Sequence, residues 1–202
     1  MNTTDRRLRK LVAAVIICAV PAAFAQQTGN PAVMAPDTPK TAIAQPPPDH
    51  PNTADQLFTR QLLIGGQAEM DLGKLAGERA QSDAVKQFAK RMVEDHGKGT
   101  ARLDALAKAN RADRPKSAAA DPDAQAVRAQ LEKLRGADFD TAYIAAQVGD
   151  HQKTVQLLEH EIGSGQDVKV KDYAKENLPI VMRHLEMARQ IQSDLAQPRA
   201  GG

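Results

Sequence analysis

An all-α fold is predicted by three features of this 202-residue sequence. Apolar residues recur at spacings of three and four over long stretches, no segment alternates convincingly as a strand, and turn-forming residues punctuate the chain between the periodic stretches. Four long helices and one short one account for residues 53–196.

The chain opens on an export signal. Arg6, Arg7, Arg9 and Lys10 precede the apolar run LVAAVIICAV (11–20), and Ala23 and Ala25 supply small residues for cleavage, so residues 1–25 read as a Sec signal peptide. The apolar run is shorter than the about 20 residues that a membrane-spanning helix needs. Two rival readings fit less well. Ile17 stands where a lipoprotein site wants a small residue before Cys18, and Leu8-Arg9-Lys10 departs from a twin-arginine pattern after Arg6-Arg7. Residues 26–52 form a Pro-rich tether. Seven of the twelve prolines fall in 26–51, a composition that cannot bury a core.

Within the folded part, Thr53-x-x-Gln56 is a capping-box pattern, and Phe58, Leu62, Gly65, Glu69, Leu72 and Ala76 share one face of a helix that reaches Gln81. Ser82 caps a second helix over about 83–109, striped by Val85, Phe88, Met92, His96, Leu103 and Leu106. Arg114-Pro115 and Asp121-Pro122 interrupt the chain, and a short helix over about 122–135 ends at Gly136. The next runs from about Phe139 to Ile162, with Ile144, Val148, His151, Val155, Leu158 and Ile162 in line, and Gly163-Ser164-Gly165 stops it. Asp167 starts the last, which carries Tyr173, Val181, His184, Ala188 and Ile191 to about Leu195. Residues 197–202 read as a disordered tail.

The connections run short, long, short. Two helical hairpins joined by one long crossover, which carries the short helix, make a ferritin-like four-helix bundle. VKQFAK (85–90) and VKDYAK (170–175) open the second and fourth long helices and mark the hairpins as related. Gly65, Gly66, Gly73 and Gly77 suit the first helix to close packing.

Composition excludes several functions. Loss of residues 1–25 removes four basic residues and Asp5, so the formal charge of +2 becomes −1 (2 − 3), and the basic pI is no argument for nucleic-acid binding. Aromatics are 3% with no Trp, which leaves little to stack on bases. Cys18, the only cysteine, departs with the signal, which excludes disulfides, thiolate metal sites and covalent haem from the mature chain. No Ser-His-Asp arrangement, phosphate loop or strand-borne nucleophile is visible, so the sequence offers no catalytic residues. Nothing in it specifies an oligomeric state.

The chemistry-bearing pattern is a pair of phrases, VEDHGK (93–98) and VGDHQK (148–153). Successive helical residues point about 100° apart. His96 and His151 therefore share the apolar stripes of their helices, while Asp95 and Asp150 turn away and pair with Lys98 and Lys153 along the surface. An alternative role for the acids is to orient a histidine on a neighbouring helix. Glu69 and His184 occupy core-facing positions on the other two long helices. Glu69, His96, His151 and His184 are thus the candidate metal ligands, suited to iron, zinc, copper or manganese. Counted from the turns at 1.5 Å per residue, the first three meet near mid-bundle and His184 lies about 8 Å deeper, unless Pro179 alters the path. The di-iron hallmark of Glu three residues before His is absent, since Val93, Val148 and Val181 stand there, so a His-rich mononuclear site is expected. Met70, Met92, Met182 and Met187 lie at similar levels and admit copper or b-type haem, though Met more often fills cores. Two readings stand beside the metal site: structural core histidines, and a module that binds an envelope or cell-wall partner.

The sequence also resembles the secreted bacterial ferritin-like proteins known as a domain of unknown function and often labelled outer membrane proteins. The resemblance rests on Gly66-x-x-Glu69 with Leu72-Gly73-x-Leu75-Ala76, on Val85-Lys86-x-Phe88-Ala89-x-x-Met92-x-x-Asp95-His96, on Phe139-Asp140-x-x-Tyr143 with Asp150-His151, and on Leu178-Pro179 with His184. It covers about 54–195. It implies the fold and an envelope location, and carries no catalytic roles.

Overall fold

The computed structural model describes residues 53–109 and 121–197, which form five helices: α1 (Thr53–Arg79), α2 (Asp83–Ala109), α3 (Pro122–Leu131), α4 (Gly136–Ser164) and α5 (Val168–Ala196). Among the described residues there is no strand, and no helix is long and apolar enough to cross a membrane. The expected signal and tether fall in 1–52 and the expected tail, apart from Gln197, in 198–202, outside the described residues, as does the part of the crossover at 110–120.

The four long helices pack in a closed ring. α1 lies against α2, and α4 against α5, as two hairpins; α1 also meets α4, and α2 meets α5, while the short α3 lies on α4 and α1. Each hairpin turn is held by the other hairpin. Asp140 on α4 accepts hydrogen bonds from Gln81 N (3.0 Å) and Ser82 N (2.8 Å) in the α1–α2 turn. Asp55 on α1 accepts from Gln166 N (3.0 Å) and Asp167 N (2.9 Å) in the α4–α5 turn. Donors and acceptors match at a constant offset: 85 positions separate Asp55 from Asp140, Gln81 from Gln166, and VKQFAK from VKDYAK. Each carboxylate stands at a helix N-terminus, where the free backbone N–H groups and the helix dipole favour an anion.

Two apolar clusters fill the interior. One joins Leu72, Leu75, Val85, Phe88, Met92, Phe139, Tyr143, Ile144 and Ala188; the other joins Phe58, Leu63, Leu103, Leu158, Val170, Tyr173 and Val181. Full burial of each large apolar side chain contributes about 1.5–3 kcal/mol. Glycine permits the close α1–α2 contact at Gly73, where an added Cβ would lie 2.8 Å from Val93 Cγ2 and 3.0 Å from the Ala89 carbonyl oxygen; Gly65 and Gly77 meet nothing comparable.

Three boundaries differ from the sequence expectation. α1 ends at Arg79, before Gln81. α3 ends at Leu131, and Gly136 opens α4 rather than closing α3; its φ of +60° lies in the left-handed region that glycine enters without a Cβ penalty. α5 runs unbroken through Pro179, with Asp167 as its N-cap accepting from Lys169 N (2.8 Å) and Val170 N (3.1 Å).

Candidate metal centre

A polar layer separates the two apolar clusters. On α1, Glu69 falls between Leu63 and Leu72; on α2, His96 between Met92 and Leu103; on α4, His151 between Ile144 and Leu158; on α5, His184 between Val181 and Ala188. In each pair one flanking residue belongs to one cluster and one to the other, so each helix brings one ionisable side chain to the same level of the core.

Three of the four converge as one group. The rings of His96, His151 and His184 form a triangle with all three centroid separations 5.5 Å. One ring nitrogen from each lies within 4.8 Å of the others. His184, the expected outlier in depth, is a full member. Depths counted from opposite turns need not be equal; they need only sum to the distance between the two ends that Asp55 and Asp140 lock.

The state of each ring follows from its neighbours. His151 Nδ1 lies 2.9 Å from the Gln147 carbonyl oxygen, an acceptor, so Nδ1 carries the proton and Nε2 keeps its lone pair. His184 Nε2 lies 3.0 Å from Asp95 Oδ2, so Nε2 donates and Nδ1 keeps its lone pair. His151 Nε2, His184 Nδ1 and His96 Nε2 are all buried without a hydrogen-bond partner. Burial lowers the His96 pKa to about 3, helped by the neighbouring His151 and His184 and opposed by Asp95. Burial likewise lowers His151 to about 4, with His184 adding to the effect, and lowers His184 against the pull of Asp95. At neutral pH the core holds three uncharged imidazoles, the ligating form.

Glu69 does not join this triangle. It groups instead with Asp150 and His151, ligand atoms again within 4.8 Å, and its Oε2 accepts a 2.7 Å hydrogen bond from Gln147 Nε2. Burial raises the Glu69 pKa well above the carboxylate range, with the Asp150 charge reinforcing the shift. Burial also raises Asp150, against its hydrogen bond to Glu69 and the nearby Lys153.

The acids of the two Asp-His phrases therefore depart from the surface pairing expected of them. Asp95 holds His184 across the α2–α5 contact and lies 3.9 Å from Arg91 rather than pairing with Lys98. Asp150 faces Glu69, and Lys153 acts on it as a nearby charge. The phrases are not structural equivalents either. At the 85-residue offset of the hairpins, His151 corresponds to Gly66 and His184 to Gly99, so one hairpin carries imidazoles where the other carries glycines. Gly66 and Gly99 line a cavity of about 480 Å³ that also exposes Glu69, Asp95, His96, Asp150 and His184. Gln147, which bonds both Glu69 and His151, escaped the sequence reading; its only signal was its place one helical turn before His151. Of the methionines, Met92 packs in the apolar core and Met182 is exposed.

The family described as a domain of unknown function, DUF4142, matches residues 39–191. A DUF305 fragment from Deinococcus radiodurans is similar in structure, with a TM-score of 0.64 at 13% identity, covering 72% of this chain and 99% of its own. A secreted DUF305 protein from Streptomyces coelicolor is similar at a TM-score of 0.61 and 12% identity, covering 74% of this chain and 98% of its own. At such identities the likeness is one of fold. No curated protein matches the sequence.

Proposed function

The chain belongs to the DUF4142 family, and we propose that it is an exported, ferritin-like four-helix-bundle protein whose core holds one transition-metal ion on His96, His151 and His184. Three imidazoles on three helices, each with a buried ring nitrogen that lacks a hydrogen-bond partner and each with one ring nitrogen within 4.8 Å of those of the others, carry this reading. Burying such groups unpaired costs free energy that a shared ion would recover. The opposite nitrogens of His151 and His184 are bound to a carbonyl and a carboxylate, the outer partners that ligating histidines ordinarily have.

The donor set narrows the metal. Imidazole nitrogens without thiolate, with the carboxylate of Glu69 grouped elsewhere, favour copper or zinc over iron, and all of these over manganese. Closing on one ion brings the three nitrogens to roughly 3.3 Å apart, the edge of a tetrahedron with metal–nitrogen bonds near 2.0–2.1 Å. Three protein ligands leave a position for water or a small exchangeable ligand, and the adjacent cavity gives it room. Export rests on the basic and apolar character of residues 1–25 and is consistent with the secreted protein among the structural neighbours. The ferritin-like plan rests on the reciprocal hairpins and on α3 lying along the crossover.

The test is titration of the untagged, metal-stripped protein with Zn²⁺, Cu²⁺, Fe²⁺ and Mn²⁺, followed by calorimetry and thermal unfolding. One equivalent bound, with a rise in Tm abolished by His96→Ala and by His184→Ala in proteins that remain helical, is the expected result. No binding by any of the four would overturn the reading, leave the histidines as neutral core residues, and turn attention to envelope partners.

A further inference from the structure

We infer that the carboxylates of Glu69 and Asp150 form, together with His151, a second and outer ion position through which a divalent transition-metal ion reaches the three histidines. This inference rests on the metal reading above and assigns the route by which that site fills.

His151 is the shared member of two groups, one with His96 and His184 and one with Glu69 and Asp150, and each group has its ligand atoms within 4.8 Å. Its Nδ1 is committed to the Gln147 carbonyl, which leaves Nε2 as the nitrogen free to ligate. One nitrogen cannot hold two ions, so the positions are occupied in turn. An ion at the outer position passes inward by exchanging carboxylate oxygens for imidazoles without releasing His151.

The outer group is more than two neighbouring acids. The unpartnered Nε2 belongs to a side chain only 1% exposed, and Gln147, fully buried, has its Oε1 unpartnered beside the Nε2 that bonds Glu69. A buried carboxyl group facing a second carboxyl is costly unless a proton or a cation lies between them. Burial also increases along the proposed path. Asp150 is exposed, Glu69 is 3% exposed and His151 is 1% exposed.

The electrostatics of the cavity favour a cation on this path. Glu69, Asp95, Asp121 and Asp150 line it, against Lys153 as the one Lys or Arg among the described lining residues. A cleft in which acidic groups outnumber basic ones concentrates cations and raises their rate of entry. The chemistry of the two positions differs in a useful way. Carboxylates accept hard and borderline cations alike, whereas the inner imidazoles retain only borderline ones, so Mg²⁺ and Ca²⁺ gain no second step.

Stopped-flow mixing of the metal-stripped full chain with Co²⁺ separates entry from retention, because a tetrahedral cobalt–imidazole centre absorbs strongly in the visible. Glu69→Gln and Asp150→Asn keep the shape of each side chain and remove its capacity to ligate as a carboxylate. Both should load roughly 10-fold or more slowly, the scale on which losing a group that supports a metal site is felt, and reach the wild-type absorbance at the end. Asp121→Asn removes a carboxylate from the lining outside the group and should load at close to the wild-type rate. His184→Ala should bind Co²⁺ weakly without the strong visible band, because only the outer position remains. Wild-type rates in both carboxylate variants would overturn the outer position. Equal slowing in all three acid variants would overturn it in favour of charge alone. No visible band in the wild type would overturn the inner site, and this inference with it.

Discussion

Asp95 on α2 holds the ring of His184 on α5 at 3.0 Å, a carboxylate 26% exposed bound to an imidazole 2% exposed. The bond joins the two hairpins at the level of the candidate centre. It also fixes the tautomer of His184, since a carboxylate accepts the Nε2 proton and leaves the Nδ1 lone pair free.

Asp95→Asn should therefore weaken metal binding while leaving the helices intact. The expected loss is about 10–100-fold in affinity, the usual consequence of removing a partner that orients a ligating histidine. Competition against a chromophoric chelator would measure it, with circular dichroism to confirm the fold. Unchanged affinity would mean that packing alone orients His184.

The reciprocal turn locks predict a stability effect remote from the centre. Asp140→Ala leaves Gln81 N and Ser82 N without their acceptor and removes a buried anion from the start of α2. The cost should be about 2–4 kcal/mol, since bonds to charged groups contribute more than neutral ones and the freed donors lose a partner. Urea unfolding would read it as a lower midpoint at unchanged slope.

The three neutral imidazoles predict acid sensitivity in the metal-free protein. His96 and His151 titrate at about 3 and about 4 in the fold, against 6.5 in the unfolded chain, so between these values the unfolded state binds more protons. Stability from this source is present above pH 6.5 and lost as pH falls toward 4 and 3. Thermal unfolding between pH 7 and 4 should show the decline, and His151→Gln should make it shallower.

Glu161 should act in the opposite sense. Burial, together with Asp55 and Asp167, raises its pKa from 4.5 to about 7, with Lys171 opposing. The folded state then binds the extra proton between these values. This contribution is full below pH 4.5 and is lost as pH rises through 7. Glu161→Gln should raise the Tm at pH 8 more than at pH 5, which separates the α4–α5 turn from the histidine layer.

Much of the architecture was legible because helical periodicity is local. The stripes through Phe58, Phe88, Ile144 and Ala188 could be counted, the N-cap at Asp167 was visible, and the echo of VKQFAK in VKDYAK pointed to two related hairpins. Where turn chemistry competed with periodicity, the reading slipped. Gly136 looked like a helix stop and is a helix start, because a lone glycine marks a left-handed residue without saying on which side of it the helix lies.

The candidate residues divide along the same line. That Glu69, His96, His151 and His184 face the core followed from their spacing, since burial is set by position on one helix. Which of them meet was decided by how the helices are locked end to end. The bonds from Asp55 and Asp140 fix the axial offset of the hairpins, and that offset brings His184 into the triangle and sends Glu69 to Asp150. Asp95 illustrates the limit most clearly. Along its own helix it is a surface acid three residues from a lysine, and only the neighbouring α5 makes it the partner of a buried histidine. The helices and the inward-facing set are legible along the chain, because both depend on contacts within a turn or two. The tertiary structure alone decided ligand grouping, hydrogen-bond partners and the cavity, because these depend on angles and offsets between segments up to 112 residues apart.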